Sequence, residues 1–291
     1  LEERGYETCV VGGCVRDALL GHIPHDWDIG TSALPEETMR CFAGCTVIET
    51  GVRHGTVTVV LDGEPLEITT YRVETGYTDG RHPDRVGFVR DFTINAMAYH
   101  PARGLTDLFG GREDLAAGII RCVGTPSRRL REDALRILRG LRFAACCGFS
   151  VEPDTARAMR QEQGRLREIA AERVKGELDR LVTGRDAARV LREFAEVVGT
   201  VLPEIVPMRG FPQNNPHHCW DIWEHTLHAV EASEPDLLVR WAILFHDSGK
   251  ALTYTEDENG VGHFRGHPAV SERLADRAMR RLRFDTDMRE R

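Results

Sequence analysis

The feature that most constrains this 291-residue chain is a change of periodicity at Gly110-Gly111. Before it, short apolar runs alternate with turn residues. Cys9-Val10-Val11 reads as a strand that runs into Gly12-Gly13, followed by a helix over 15–20 with Gly21 placed to end it. Residues 56–61 and 66–72 read as two strands around an Asp62-Gly63 turn, and 96–108 as a second hairpin with 101–104 at its tip. After Gly110-Gly111, helical spacing takes over at 132–146, 153–162, 171–182 and 186–197, with few strand signals. The expectation is an α/β head over 1–111, a helical neck over 112–182 and a body with linker over 183–215. The Pro/Asn-rich run Phe211-Pro212-Gln213-Asn214-Asn215-Pro216 marks the linker, and a His-rich helical section fills 216–291.

Composition narrows the class. The 41% hydrophobic and 29% charged residues are those of a soluble globular protein. No apolar run approaches the roughly 18 to 20 residues of a membrane span, and residues 1–20 lack a signal-peptide pattern, so a cytoplasmic protein without membrane contact is expected. A net charge of −8 argues against a globally basic nucleic-acid binder. It leaves room for a local one, because polymerase-type sites gather carboxylates around metals and place arginines elsewhere. The eight cysteines contain no CxxC pair and read as small buried thiols rather than a disulfide framework or zinc site. Of 38 basic residues only Lys175 and Lys250 are lysines, a bias that fits a GC-rich genome.

The chemistry sits in the acids of the head. Gly12-Gly13, between a strand and a helix, would let backbone N–H groups approach a triphosphate. After twelve intervening residues comes Asp26-Trp27-Asp28. In a strand, residues i and i+2 share a face, so Asp26 and Asp28 would converge while Trp27 and Ile29 pack behind them. Glu67, in Leu66-Glu67-Ile68-Thr69-Thr70, adds a third carboxylate on a neighbouring strand. Three such groups repel unless cations bind between them. Two Mg²⁺ ions there could activate a 3′-hydroxyl and neutralise charge on a nucleoside triphosphate. The alternative is solvated acids on a strand edge.

These residues occur in longer runs. Gly12-Gly13-Cys14-Val15-Arg16-Asp17 and Asp26-Trp27-Asp28 are followed by Glu67-Ile68-Thr69-Thr70-Tyr71-Arg72 and Asp91-Phe92-Thr93-Ile94-Asn95-Ala96-Met97-Ala98. Then come Asp107-Leu108-Phe109-Gly110-Gly111, Glu132-Asp133-Ala134-Leu135-Arg136 and Glu172-Arg173-Val174. Taken in this order, the runs resemble the class II tRNA nucleotidyltransferase and bacterial poly(A) polymerase family. The resemblance implies a polymerase-β-like nucleotidyltransferase head, a helical neck that holds the nucleotide, and a body and tail that clasp tRNA. It makes Asp26 and Asp28 the Mg²⁺ ligands with Glu67 as third carboxylate. Arg16 is placed near the triphosphate, and Asp91 and Asn95 near the ribose or its surroundings. The family pattern carries about eight more residues between Phe88-Val89 and the Arg-Arg-Asp before Phe-Thr. Here Phe88-Val89-Arg90 meets Asp91, which implies a deleted loop or a break in the chain. Gly51-Val52-Arg53-His54-Gly55-Thr56-Val57 looks more like the CCA-adding branch.

Base choice is expected from the neck. Asp133 and Arg136, at i and i+3 of a helix, are neighbours on one face. Cytosine and adenine each present an amine beside a ring acceptor. A carboxylate and a guanidinium therefore suit both, whereas uracil and guanine meet the pair with mismatched polarity. The bland alternative is an ordinary surface ion pair. Arg139 and Arg142, with Arg128, Arg129 and Arg131, would meet triphosphate or tRNA phosphates, or pair with neighbouring acids. Glu172-Arg173 reads as a brace for the neck.

In the last section, His225, His246-Asp247, His263 and His267 resemble the HD phosphohydrolase motif. His225, His246 and Asp247 would hold a second divalent metal whose identity the residues do not name. Pro268 suits a first helical turn with His267 near its N-cap. This HD domain is expected to be incomplete, its usual last aspartate falling beyond residue 291. The chain as a whole then reads as an α/β head followed by an all-α neck and body and a helical HD domain. The implied reaction adds C and A from CTP and ATP to the 3′ end of tRNA, in an unknown oligomeric state. Poly(A) polymerase, CC-only or A-only addition, and a metal-dependent phosphohydrolase are the alternatives.

Overall fold

A computed structural model of the chain describes residues 1–24, 26–49, 51–52, 55–73, 76–77, 90–216 and 219–290. They form two compact units, Leu1–Thr125 and Pro126–Arg291.

The first unit contains β1 (Thr8–Val11), α1 (Gly13–Leu19), β2 (Asp28–Thr31), α2 (Pro35–Cys41), β3 (Thr46–Ile48), β4 (Thr56–Leu61) and β5 (Glu64–Thr70). A small hairpin, β6 (Arg72–Val73) and β7 (Gly76–Tyr77), comes next. After it come β8 (Met97–His100), β9 (Gly104–Asp107), α3 (Gly111–Ala117) and β10 (Ile119–Ile120). Seven strands make one sheet in the order β3-β4-β5-β2-β1-β8-β9. The β2–β5 pair is parallel, and the other neighbours are antiparallel. Local chemistry explains the β4–β5 hairpin: Leu61 pairs Glu64 across two residues, and Asp62 and Gly63 both take positive φ, 52° and 88°. Period-2 alternation then buries Val57, Val59 and Ile68, with Met39 and Phe42 of the α2 region packed against them. A parallel pair needs a long crossover, which α2, β3 and β4 supply between β2 and β5.

The head runs past the expected boundary at 111. Thr93 Oγ1 donates to Asp114 Oδ2 at 2.6 Å, Thr93 N–H to the Arg121 carbonyl at 2.9 Å, and Phe92 bridges Cys122. Gly111 is there for contact: a Cβ on it would stand 2.3 Å from the Thr93 carbonyl oxygen. Residues 111–125 thus fold back on 91–95 and close the first unit.

The second unit is almost all helix. Its elements are α4 (Pro126–Glu132), α5 (Leu135–Cys147), β11 (Ser150–Val151), α6 (Pro153–Glu162), α7 (Ala171–Val182), α8 (Ala187–Glu193) and α9 (Ala195–Gly199). They are followed by α10 (Ile222–Ala232), α11 (Leu237–Phe245), α12 (Lys250–Thr253), β12 (Thr255–Glu256), β13 (Gly262–His263), α13 (His267–Arg281) and α14 (Thr286–Glu290). Ile137, Leu138 and Leu141 of α5 and Leu178 and Leu181 of α7 are fully buried, and these two helices pack together. Truncating any of these leucines to Ala should cost about 2 to 5 kcal/mol. The helix expected over 132–146 is broken at Asp133, and that over 186–197 at Phe194. Pro268 does sit in the first turn of α13, with His267 as its first residue.

No cysteine forms a disulfide, but only Cys9, Cys14 and Cys122 are buried; Cys45, Cys146 and Cys219 are exposed, against expectation. Among the described residues no helix is long and apolar enough to cross a membrane.

Candidate active site

The site begins with a register. On the parallel pair, Asp28 of β2 is the direct partner of Glu67 of β5. Paired residues on adjacent strands share a face, with the strands about 4.8 Å apart. Under this pair lies the β1–α1 turn. Gly12 has φ 83° and ψ −134°, a conformation that only glycine adopts without strain. A Cβ on it would stand 3.2 Å from Asp28 Oδ2 and 3.3 Å from Arg90 Cζ. The Gly12 N–H donates to the Met97 carbonyl at 3.2 Å, so it does not face a ligand. The first-turn amides of α1, beginning at Gly13, lack intrahelical acceptors.

Asp26 departs from the expectation. The strand starts at Asp28, so Asp26 lies in the bend before it, exposed, and shares no strand face with Asp28. Trp27 is 45% exposed rather than packed behind the acids. Asp26, Asp28 and Glu67 do not gather their oxygens within 4.8 Å, the spacing that marks the only such cluster among the described residues, at His225, His246 and Asp247. The all-oxygen donor set of Asp26, Asp28 and Glu67, from the bend before β2 and from the paired strands β2 and β5, suits hard Mg²⁺ ions.

Behind the acids runs a tight polar network. Arg16 Nε and Nη2 donate to Asp17 Oδ1 at 2.9 and 2.8 Å, and Nη1 donates to Asn95 Oδ1 at 2.6 Å. Asn95 Nδ2 donates to Asp91 Oδ1 at 3.1 Å, which also accepts the Phe92 N–H at 3.0 Å. Asp91 and Asn95 are buried, and the Arg16 side chain is 12% exposed. In this state the three hold one another and fix α1 to the 91–95 segment. Asp17 carries much of that load, although sequence reasoning had given it no role. Arg90, whose role the sequence left open, places Nη2 3.3 Å from Asp28 Oδ2. Residues 78–89, where the shortened loop is expected, and Arg53 and His54 of the CCA-like run lie outside the described residues.

In the neck, Asp133 is not on a helix. Its Oδ1 accepts the Leu135 N–H at 3.0 Å, a local bond that competes with helix continuity and separates α4 from α5. Asp133 and Arg136 each have a protein partner. Asp133 Oδ2 accepts from Arg173 at 2.9 Å, while Arg136 Nη1 donates to Glu132 Oε2 and the Arg129 carbonyl, both at 2.7 Å. Burial raises the Glu132 carboxyl, but the Arg136 and Arg129 guanidiniums outweigh it and hold the group below its ordinary range. Arg139 and Arg142 both reach Glu177 of α7, at 3.6 and 2.6 Å. Arg142 is only 12% exposed, stacks on Phe143 at 4.0 Å and pairs with Glu177, the acid-pairing alternative of the two the sequence left open.

The histidine cluster converges as the spacing implied. His225 comes from α10, and His246 and Asp247 follow α11; one ligand atom from each lies within 4.8 Å of the others. Asp247, 4% exposed, has Oδ2 3.1 Å from His246 Nε2 and 3.6 Å from His225 Nε2, and Oδ1 3.4 Å from His267 Nε2. His246 Nδ1 lies 2.6 Å from the Ile243 carbonyl and His267 Nδ1 2.8 Å from that of Phe264. A carbonyl only accepts, so Nδ1 carries the proton and Nε2 of the neutral ring turns a lone pair toward Asp247. Such an arrangement needs a metal or a second ring proton between the atoms, which fits a divalent cation. Burial alone would raise Asp247, but the doubly protonated His246 ring and Lys250 would hold it well below the carboxylate range. Burial pulls His246 down, and Asp247 reverses this to leave it above an ordinary imidazole. Sequence reasoning missed Lys250, whose Nζ lies 2.8 Å from Asp247 Oδ2 and donates to Gln213 Oε1 at 2.8 Å. Its position three residues after Asp247 was the available signal.

A mixed sheet that sets Asp28 beside Glu67 above a strand–glycine–helix turn, followed by helices, is a nucleotidyltransferase head with a helical body. Residues 8–121 match the poly A polymerase head domain, and residues 148–205 match a family described as the probable RNA and SrmB-binding site of polymerase A. The CCA-adding enzyme of Leuconostoc mesenteroides is 46% identical over 200 residues, covering 66% of this chain and 49% of that protein. That of Ligilactobacillus salivarius is 38% identical over 261 residues, 83% of this chain and 64% of its own. The crystal structure of the Bacillus stearothermophilus CCA-adding enzyme in complex with CTP matches with a TM-score of 0.77 and 32% identity, over 100% of this chain and 65% of that one. The chain belongs to the class II tRNA nucleotidyltransferase (CCA-adding enzyme) and poly(A) polymerase family. It spans about half the length of the curated relatives it matches, 49% for the Leuconostoc protein.

Proposed function

We propose that the chain carries the catalytic part of a template-independent tRNA nucleotidyltransferase, which adds C and A from CTP and ATP to the 3′ end of tRNA. The observation that carries this is the Asp28–Glu67 register directly above Gly12. Two bound Mg²⁺ ions, held by Asp26, Asp28 and Glu67, would supply Lewis acidity to the 3′-hydroxyl and to the leaving pyrophosphate. The 3′ oxygen bonds to the α-phosphorus, the bond from that phosphorus to the pyrophosphate oxygen breaks, and the hydroxyl proton passes to solvent. The chain's own part is positional. Gly12 and Gly13 let the turn approach the phosphates without a side chain in the way. Asp17 and Asn95 steady Arg16, and Asp91 steadies Asn95, beside the reacting groups.

Asp133 and Arg136 select the base. Asp133 Oδ2 and Oδ1 each accept one bond, and Arg136 uses only Nη1, so each keeps capacity for a C or A edge. Arg139, 35% exposed, is the more available of the two Glu177 partners for phosphate. Addition of all three nucleotides is favoured over poly(A), CC-only or A-only addition by the CCA-like run at 51–57. The histidine cluster supports a second reading: a divalent metal on His225, His246 and Asp247, in an HD-type domain able to hydrolyse phosphate esters.

The test uses tRNA lacking its 3′ end, supplied with each NTP singly and together. Wild-type protein should extend it with CTP first and then ATP, and Asp28→Ala should fall below about a tenth of that turnover with its fold intact. Extension by Asp28→Ala at the wild-type rate would overturn the assignment.

A further inference from the structure

The contact on Asp28 is with a cation of the protein itself. Arg90 Nη2 lies 3.3 Å from Asp28 Oδ2, with the two side chains 37% and 31% exposed. A Cβ on Gly12 would meet the same Oδ2 at 3.2 Å and Arg90 Cζ and Nη2 at 3.3 Å. Guanidinium, carboxylate oxygen and turn backbone therefore meet at one point. Arg16, the other arginine at this turn, is committed to Asp17 and Asn95.

A guanidinium and a divalent ion repel each other, and both seek the oxygen Asp28 Oδ2. A phosphate oxygen is the better partner for a planar guanidinium, which matches it with two parallel N–H groups. We propose that Arg90 is a positioning residue that competes with the divalent ion for Asp28 and yields the carboxylate when nucleotide phosphates arrive over Gly12. This rests on the two-ion reading of Asp26, Asp28 and Glu67. In the absence of nucleotide, Arg90 neutralises Asp28 and lowers its call on metal. When a triphosphate enters, the guanidinium transfers to it and Asp28 Oδ2 is released. Metal and nucleotide then bind with positive coupling, and by linkage each tightens the other by the same factor. The half-exposed ion pair suits this role, because a pair of this kind is weak enough to exchange.

The experiment is a Mn²⁺ titration followed by electron paramagnetic resonance of the free ion. The full chain is used in a His246→Ala background, so that the histidine cluster does not contribute. Without nucleotide, Arg90→Gln should bind Mn²⁺ about two- to fivefold more tightly than its parent, the factor that loss of a half-exposed ion pair allows. With a non-hydrolysable CTP analogue, the parent should gain Mn²⁺ affinity, and Arg90→Gln should lose most of that gain. Arg90→Lys, which keeps the charge, should restore at least part of the coupling. A residue with a merely structural role would not tighten metal binding when removed. Mn²⁺ affinity in Arg90→Gln equal to or below the parent's would overturn the proposal, provided Asp28→Ala abolishes the tight Mn²⁺ site. If Asp28→Ala leaves Mn²⁺ binding unchanged, the two-ion reading itself fails, and this proposal with it.

Discussion

Gly12→Ala tests whether the turn backbone sets the position of the Asp28 carboxylate, to which catalysis is assigned above. The residue holds φ 83° and ψ −134°, and an L side chain there costs about 1 to 3 kcal/mol. The new methyl would sit 3.2 Å from Asp28 Oδ2 and 3.3 Å from the Arg90 guanidinium. Both contacts are with the ends of side chains that can shift, so the steric clash adds little to the loss of stability and is relieved by moving Asp28. The melting midpoint of the head should fall by about 3 to 10 °C. At 25 °C the protein stays largely folded, yet single-turnover nucleotide addition should drop about tenfold or more, since small misplacements at a reacting centre cost rate steeply. Gly21→Ala is the matched control. Gly21 has φ 77° and nothing within 4 Å of its would-be Cβ, so it should lose comparable stability and keep its turnover. The reasoning is refuted if Gly12→Ala melts like wild type. It is also refuted if both variants are equally destabilised and Gly12→Ala still turns over within twofold of wild type.

Other perturbations follow from the same contacts. Glu177→Ala leaves the Arg142 guanidinium, 12% exposed, without its 2.6 Å partner, and should cost about 3 to 5 kcal/mol in denaturant unfolding; a loss under about 1 kcal/mol would mark the pair as ornamental. Asp133→Ala should reduce the ratio of CTP to UTP incorporation by roughly five- to 150-fold in single-turnover assays; an unchanged ratio would end the base-reading role. Wild-type protein should co-purify with a divalent metal, measured by mass spectrometry, that His246→Ala loses while nucleotide addition stays intact; equal metal content in both proteins would leave the cluster a packing feature.

How much of this was legible beforehand depended on whether the deciding interaction was local. The β4–β5 hairpin could be read because Asp62-Gly63 supplies the two positive-φ residues such a turn needs, and the period-2 runs beside it bury one face. The histidine cluster was legible for a similar reason, since adjacent His246 and Asp247 need only one more ligand from a helix nearby. Asp28 and Glu67 were legible as carboxylates on neighbouring strands, but the parallel register that pairs them was not. It depends on a crossover that lays β5 parallel to β2, and nothing near either residue encodes that neighbour. Extending β2 back to Asp26 followed the i, i+2 rule where the chain has not yet entered the sheet.

The other departures have one cause: a residue that looks like a boundary or a face locally is claimed by a distant or competing partner. Gly110-Gly111 resembles the end of a domain, yet Gly111 is glycine because the Thr93 carbonyl comes within 2.3 Å of where its Cβ would be. That contact is part of what keeps α3 in the head. Asp133 sits in a window of helical spacing, but its short carboxylate captures the Leu135 N–H and ends the helix pattern there. The consequence is functional as well as structural. A helix would have fixed Asp133 and Arg136 on one face, whereas the break lets Asp133 take Arg173 of α7 as its partner while Arg136 turns to Glu132. Asp133 and Arg136 are therefore held from two elements rather than one, and α7 has a direct hold on the carboxylate. Arg173, which the sequence offered only as a brace, ties Asp133 to α7, and under the proposed base-reading role a shift of α7 would reach base choice through it.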